Sequence, residues 1–189
     1  MRKKSRKIRQ DNKKSRKLYK KYRPVVRRKI LSRILKFFIK LNIFAIPLYL
    51  ILITNYQSLQ FMEFTASASF GIMKAIGIPA TIDGTMMTIP LTEGSFAAYV
   101  SWDSTGWKAL LAFFALVFAT DFSWRKKFYG LFLLPIIYFI NVLRIVFMFY
   151  AVHNFGAGSF DFFHATLWSW GLIFTILFLW VIWLRYVNP

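Results

Sequence analysis

Hydrophobic residues crowd four stretches of the chain, at 37–54, 107–122, 128–152 and 164–187. A helix needs about 20 mostly apolar residues to cross the hydrocarbon core of a bilayer, so each stretch predicts a spanning helix, the second slightly short. A fifth stretch, 58–78, is weaker because Gln60, Glu63, Ser67 and Lys74 interrupt it. Between 80 and 102 the pattern changes. Thr81-Ile82-Asp83-Gly84-Thr85-Met86 sets an Asp-Gly turn between β-compatible residues, which predicts a hairpin, and 96–101 adds a short strand. Near the other end, Ile30, Leu31, Ile34, Leu35 and Phe38 recur at helical spacing with basic residues between them, the pattern of a basic amphipathic helix suited to an anionic membrane surface. The predicted fold is an all-α membrane protein: a polytopic transmembrane helical bundle of about four spans, an interfacial or re-entrant helix, and a small external β-hairpin. Two parts follow, a basic cytoplasmic arm at 1–29 and a transmembrane catalytic domain at 30–189.

Charge gives this pattern a direction. The chain of 189 residues is 57% hydrophobic yet carries a formal charge of +19. That charge is not spread evenly. Residues 1–40 hold 19 of the 26 basic side chains against one acid, Asp11, for a net +18, and the rest is close to neutral. The positive-inside rule therefore puts the arm in the cytoplasm, and the Arg125-Lys126-Lys127 loop with it. The stretch from Asn55 to Gly106 is then external, as is the stretch from His153 to Phe163. Parity leaves 58–78 no crossing of its own. The arm predicts anionic lipid as a partner rather than nucleic acid. Its basic region is too long for a cleavable signal peptide, and no small-residue cleavage site follows the apolar run.

Polar residues from three helices reach one membrane depth under this topology. Arg144 lies within the third span, about 24 Å of helical rise from its inner end. An intramembrane arginine costs at least about 2.5–3.5 kcal/mol to insert and points to function unless it is paired. Asn141, one turn earlier, is placed to orient the guanidinium. His164 opens the last predicted helix, with Asp161 as its cap; a helix N-terminus favours the neutral imidazole that a general base requires. Asp103-Ser104-Thr105-Gly106 precedes the second span and reads either as a helix cap or as a nucleophile beside free helix N–H groups. His153 is a weaker candidate. The two histidines form no cluster with carboxylates, so no metal is expected, and no cofactor. Cysteine is absent, which removes disulfides and thiol chemistry from the chain.

At these residues the sequence resembles the archaeosortase/exosortase family of integral-membrane cysteine transpeptidases, over roughly 66–186. The resemblance rests on Gly77-Ile78, Asp83-Gly84, Val100-Ser101-Trp102-Asp103-Ser104-Thr105-Gly106-Trp107-Lys108, Asn141-Val142-Leu143-Arg144-Ile145 and Phe163-His164. It implies a catalytic set of Ser104, Arg144 and His164, with Ser104 standing where the family has cysteine and Asn141, Asp103, Thr105, Gly106 and Asp161 supporting. It also implies a prokaryotic cell membrane, with the active site at the extracytoplasmic face. The implied substrates are membrane proteins with a C-terminal sorting signal (a short motif, a transmembrane helix and a basic end), cleaved and passed to a lipid or another surface acceptor. Because a serine hydroxyl is a poor nucleophile without activation, the chain reads as an inactive Cys-to-Ser form. Two other readings stay open: an intramembrane serine protease using Ser104 and His164, and a non-catalytic membrane scaffold.

Overall fold

The computed structural model describes residues 28–166 and 170–187. Almost all of the basic arm, including the arginines and lysines before Arg28, lies outside the described residues. The helices α1 (Arg28–Phe44) and α2 (Ile46–Thr54) meet at a 43° bend and together are long and apolar enough to cross a membrane. Then come α3 (Leu59–Ala75), strands β1 (Thr81–Asp83), β2 (Met86–Pro90) and β3 (Ser95–Tyr99), and a 3₁₀ turn at Trp102–Thr105. The helices α4 (Trp107–Ala119), α5 (Trp124–Leu131), α6 (Leu134–Phe155), α7 (Ser159–Thr166) and α8 (Leu172–Val187) complete the fold.

The protein is thus mostly helical with a small antiparallel sheet, but the expected four spans are not reached by length. The continuous run from Trp124 to Phe155, α5 joined to α6, has 32 residues, about 48 Å of helix against a hydrocarbon core of about 30 Å. At 13 and 16 residues, α4 and α8 rise only about 20 and 24 Å. The last predicted span is also not one helix from 164: His164 belongs to α7, and 167–169 lie outside the described residues.

Side-chain contacts fix the helix directions. Lys40 pairs with Asp121 and Phe44 packs on Phe118, while Leu52 lines a groove with Lys108, so α1–α2 runs antiparallel to α4. At one end of the bundle, α4 and α8 finish beside the start of α5. Lysines there cap the finishing helices, whose last carbonyls have no partner of their own. Lys127 Nζ donates to Phe118 O at 3.0 Å and Lys126 Nζ to Val187 O, while Trp183 Nε1 donates to Lys126 O at 3.1 Å. Gly130 makes this junction possible, because a Cβ there would lie 2.8 Å from Val117 Cγ1.

Two cores divide α6 between them. Its N-terminal half joins Phe113, Val117, Ile176 and Trp183 in a helical core. Its C-terminal half, from Ile145 to Val152, packs with α3 and the sheet through Ala66, Met73, Met87, Ile89 and Val100. Helix α3 runs in the same direction as α6: Phe61 and Phe64 stack on Tyr138, and Met73 lies in the core of Phe149 and Val152. The buried Thr65, Ala66, Ser69 and Met73 form its inner stripe, so α3 stands along α6 instead of lying across its end. The expected hairpin is part of a three-stranded sheet in the order β1-β2-β3. Asp83 pairs with Met86, which leaves Gly84 and Thr85 as a two-residue turn with Gly84 at φ 56.

Candidate active site

The 3₁₀ turn at Trp102–Thr105 carries the first site residue. It is wedged between β3 and α4 and cannot continue as helix, because Gly106 takes φ 82. A side chain at 106 is excluded twice over, by that backbone conformation and by Asn141, whose Cγ would lie 2.8 Å from an added Cβ. The expected capping role falls to Gly106, which begins α4 with no side-chain cap. Thr105 is fully buried and its hydroxyl donates to Trp102 O at 2.8 Å, closing the turn. Asp103 forms an ion pair with Lys108 at 2.8 Å on the outer side of the same turn.

Two side chains of α6 grip the turn at one atom. Asn141 Nδ2 donates to the backbone carbonyl of Ser104 at 2.9 Å, and an Arg144 Nη donates to the same oxygen at 3.3 Å. Asn141 therefore holds position 104 directly and makes no bond to the guanidinium, contrary to the orienting role expected of it. The other Nη of Arg144 is buried with no partner, and among the described residues no carboxylate pairs with the guanidinium. One edge of the cation is thus spent on the Ser104 carbonyl, and the other is buried without a partner.

Arg144 also lines a small cavity of about 60 Å³. Ser104, Arg144 and His164 all line it, with Val100 of the sheet, Phe149 of α6 and Phe160 of α7 among the apolar walls. A space of this size admits a few water-sized groups, enough for a carbonyl and its substituents. The sequence spacing of 40 residues between Ser104 and Arg144 is closed by packing alone. His164 arrives from an unexpected direction. It sits in the last turn of α7, stacked on Phe160 one turn earlier with ring centroids 5.1 Å apart and planes at 12°. The helix N-terminal field expected to act on it is therefore absent, and Asp161, in the first turn of α7, does not cap the last helix. His153 lies exposed near the end of α6, outside the cavity.

Two residues that contact Ser104 and His164 carry no signal read in the sequence. The Ser101 hydroxyl lies 2.9 Å from the Ser104 hydroxyl. Residues i and i+3 eclipse in a 3₁₀ turn, so the pair was findable only if 101–104 was recognised as one. Phe160 carries the i, i+4 signal to His164, hidden because the sequence pattern starts the helix only at His164.

On the outer side of the turn is a wider cleft of about 480 Å³. Tyr56, Trp102, Trp107, Ser101, Asp103 and Lys108 are among its walls, with Trp102 and Trp107 stacked at 5.3 Å. Both indole N–H groups are buried without acceptors. Leu52, Asp103 and Lys108 also border an apolar groove of about 410 Å³ between α2, α4 and α8.

A helix long and apolar enough to cross a membrane thus carries Arg144 against the Ser104 turn, beside a small sheet. The transmembrane exosortase family (Exosortase_EpsH) matches residues 29–184, and the chain belongs to that family. The match takes in α1 to α3 as well as the motifs of 66–186, so the resemblance extends further toward the N-terminus than those motifs alone. No curated protein and no solved structure gives a significant match.

Proposed function

We propose that the protein is a membrane-embedded sortase-like transpeptidase fold whose nucleophile position is held by Ser104, in a chain that is inactive or very slow as it stands. The observation that carries this reading is that Ser104, Arg144 and His164 line one cavity, with one Nη of Arg144 on the Ser104 carbonyl and the other buried without a partner. A fixed N–H donor with a full charge in a water-poor pocket is what a developing oxyanion uses.

With cysteine at 104, the thiolate attacks the scissile carbonyl and the C–S bond forms. The carbonyl electron pair moves onto oxygen, where Arg144 holds it. Collapse breaks the C–N bond, and His164 delivers a proton to the leaving amine. An acceptor nucleophile, a lipid head group or another surface group, then gives its proton to His164, attacks the thioester and releases the thiolate. Serine supplies no comparable anion near neutral pH. Its contact with Ser101 does not help, because a second hydroxyl is no base for it.

The topology in this proposal has the basic end in the cytoplasm and the sheet outside. The short α4 then begins below the outer surface, which brings Ser104 to the depth of Arg144. The polar cleft leading into an apolar groove suits a substrate that is polar outside the membrane and apolar within it, the form of a C-terminal sorting signal. Placement in a prokaryotic cell membrane belongs to the same proposal.

The test is Ser104→Cys. It should create cleavage of a reporter carrying a C-terminal sorting signal, and Arg144→Ala or His164→Ala in that background should remove it. Silence of Ser104→Cys with signals of the family's form sinks the proposal. Activity of the unaltered chain that Ser104→Ala abolishes and Ser104→Cys does not raise would instead establish the serine protease.

A further inference from the structure

Buried polar atoms without partners are rare in folded proteins, and each calls for an explanation. Five such side-chain atoms occur among the described residues: Trp102 Nε1, Trp107 Nε1, Asn141 Oδ1, an Arg144 Nη and Trp180 Nε1. Four belong to the outer cleft or the grip on Ser104. Trp180 does not. It lies on α8, one turn before Leu184 and far along that helix from the outer groove bordered by Leu172 and Ile176.

Trp180 borders a cleft of about 640 Å³ at the basic end of the bundle, with Arg33 and Phe37 of α1, Thr120, Asp121 and Phe122 after α4, and Leu184 of α8. The indole packs on Phe37 with centroids 6.1 Å apart. Its N–H is buried and lacks an acceptor. Arg33 supplies the charge: it is exposed and has no hydrogen bond or ion pair among the described residues. The acid in the cleft, Asp121, is already bonded to Lys40, so it does not cancel Arg33. Around the cleft, large apolar side chains point away from the protein on both flanking helices, Ile34 and Phe38 on α1 and Leu177 and Val181 on α8.

A cation, an indole donor and an aromatic wall at the mouth of an apolar crevice match one ligand class. We infer that this cleft binds the head group of an anionic phospholipid, with Arg33 on the phosphate, the Trp180 indole N–H on a phosphate or ester oxygen, and the acyl chains along the outward faces of α1 and α8. Basic pockets between membrane helices are suited to such head groups. This site is separate from the disperse attraction of the basic arm and from the chemistry at Ser104, and it holds whether or not the transpeptidase reading does. It ties α1 to α8 through a lipid, beside the Phe37–Trp180 contact.

The measurement is lipid binding to the full chain in nanodiscs or detergent by native mass spectrometry, comparing phosphatidylglycerol with phosphatidylcholine. General surface attraction is worth about five-fold per basic residue, so a control that removes one charge from the arm, Lys13→Ala, should cost no more than that. Arg33→Ala should cost about ten-fold or more. Trp180→Phe, which keeps the ring and removes only the N–H, should cost about three-fold with phosphatidylglycerol and nothing with phosphatidylcholine. Soluble glycerol phosphate should not compete at the concentrations where the lipid binds; competition would assign the cleft to a free phosphate and overturn the lipid. Equal losses for Lys13→Ala and Arg33→Ala with Trp180→Phe unchanged would reduce the binding to diffuse electrostatics and overturn the site.

Discussion

The two halves of α6 live by different rules. Around its N-terminal half the core is helical and apolar, and the polar groups at its edge are mostly spent. Lys127 and Lys126 close the carbonyl ends of α4 and α8, and Trp183 closes on Lys126. At mid-helix, just before the mixed core of helix and sheet begins at Ile145, Asn141 and Arg144 each bond the Ser104 carbonyl and keep a buried polar atom without a partner. Satisfied donors serve stability, whereas buried unsatisfied ones cost it. The contrast separates scaffold from site without reference to any catalytic motif.

The comparison breaks most visibly at Arg144. In the Ser104→Cys background, Arg144→Ala should lower cleavage by about 10²–10³-fold, the usual cost of one lost oxyanion donor. Its effect on thermal stability should be small or even favourable, because a buried, half-unsatisfied cation is removed. A loss of folding in place of activity would make Arg144 a scaffold residue. Gly106→Ala tests the boundary between the halves. The added Cβ meets Asn141 at 2.8 Å in a backbone conformation at φ 82, so destabilisation of about 2 kcal/mol or more is expected, read as a lowered unfolding midpoint. An unchanged midpoint would show that the grip on Ser104 is loose.

Smaller effects belong to the scaffold half. Lys127 is 9% exposed and donates to Phe118 O, so Lys127→Met, which keeps the length and loses the donor, should cost about 1.5–3 kcal/mol. Denaturant unfolding in a fixed micelle would measure it. Ser101→Ala should change stability by no more than about 1 kcal/mol, since one hydroxyl contact is lost and the partner borders the cavity. In the Ser104→Cys background the same change should leave cleavage largely intact. A large loss there would place Ser101 in the chemistry.

Much of the scaffold was legible because its signals are local. The apolar runs gave α1–α2, α4, α6 and α8, and Gly84 and Phe96 marked the sheet. The family match over 29–184 agrees with motifs read directly in the chain. The misreadings have physical causes. His164 reads as the start of the following helix because α7 is short and Gly156 and Gly158 break the pattern just before it. Helix lengths were overestimated for α4, where hydropathy continues into Phe122 but the backbone turns at Thr120. Asn141 was assigned to Arg144 from spacing on one helix, while its actual partner is 37 residues away.

What the sequence determined by itself was whatever depends on neighbours along the chain. That includes the division into a basic arm and an apolar body, the turn at Gly84 and the presence of one arginine in a membrane helix. Only the tertiary structure decided which edge of that arginine is occupied. It set the Ser104 carbonyl against Asn141 and Arg144, brought α7 over the cavity with His164, and left the Trp180 indole without an acceptor at the opposite end. These are long-range contacts fixed by packing, where burial decides if a donor is spent or open, and no periodicity along one helix encodes that.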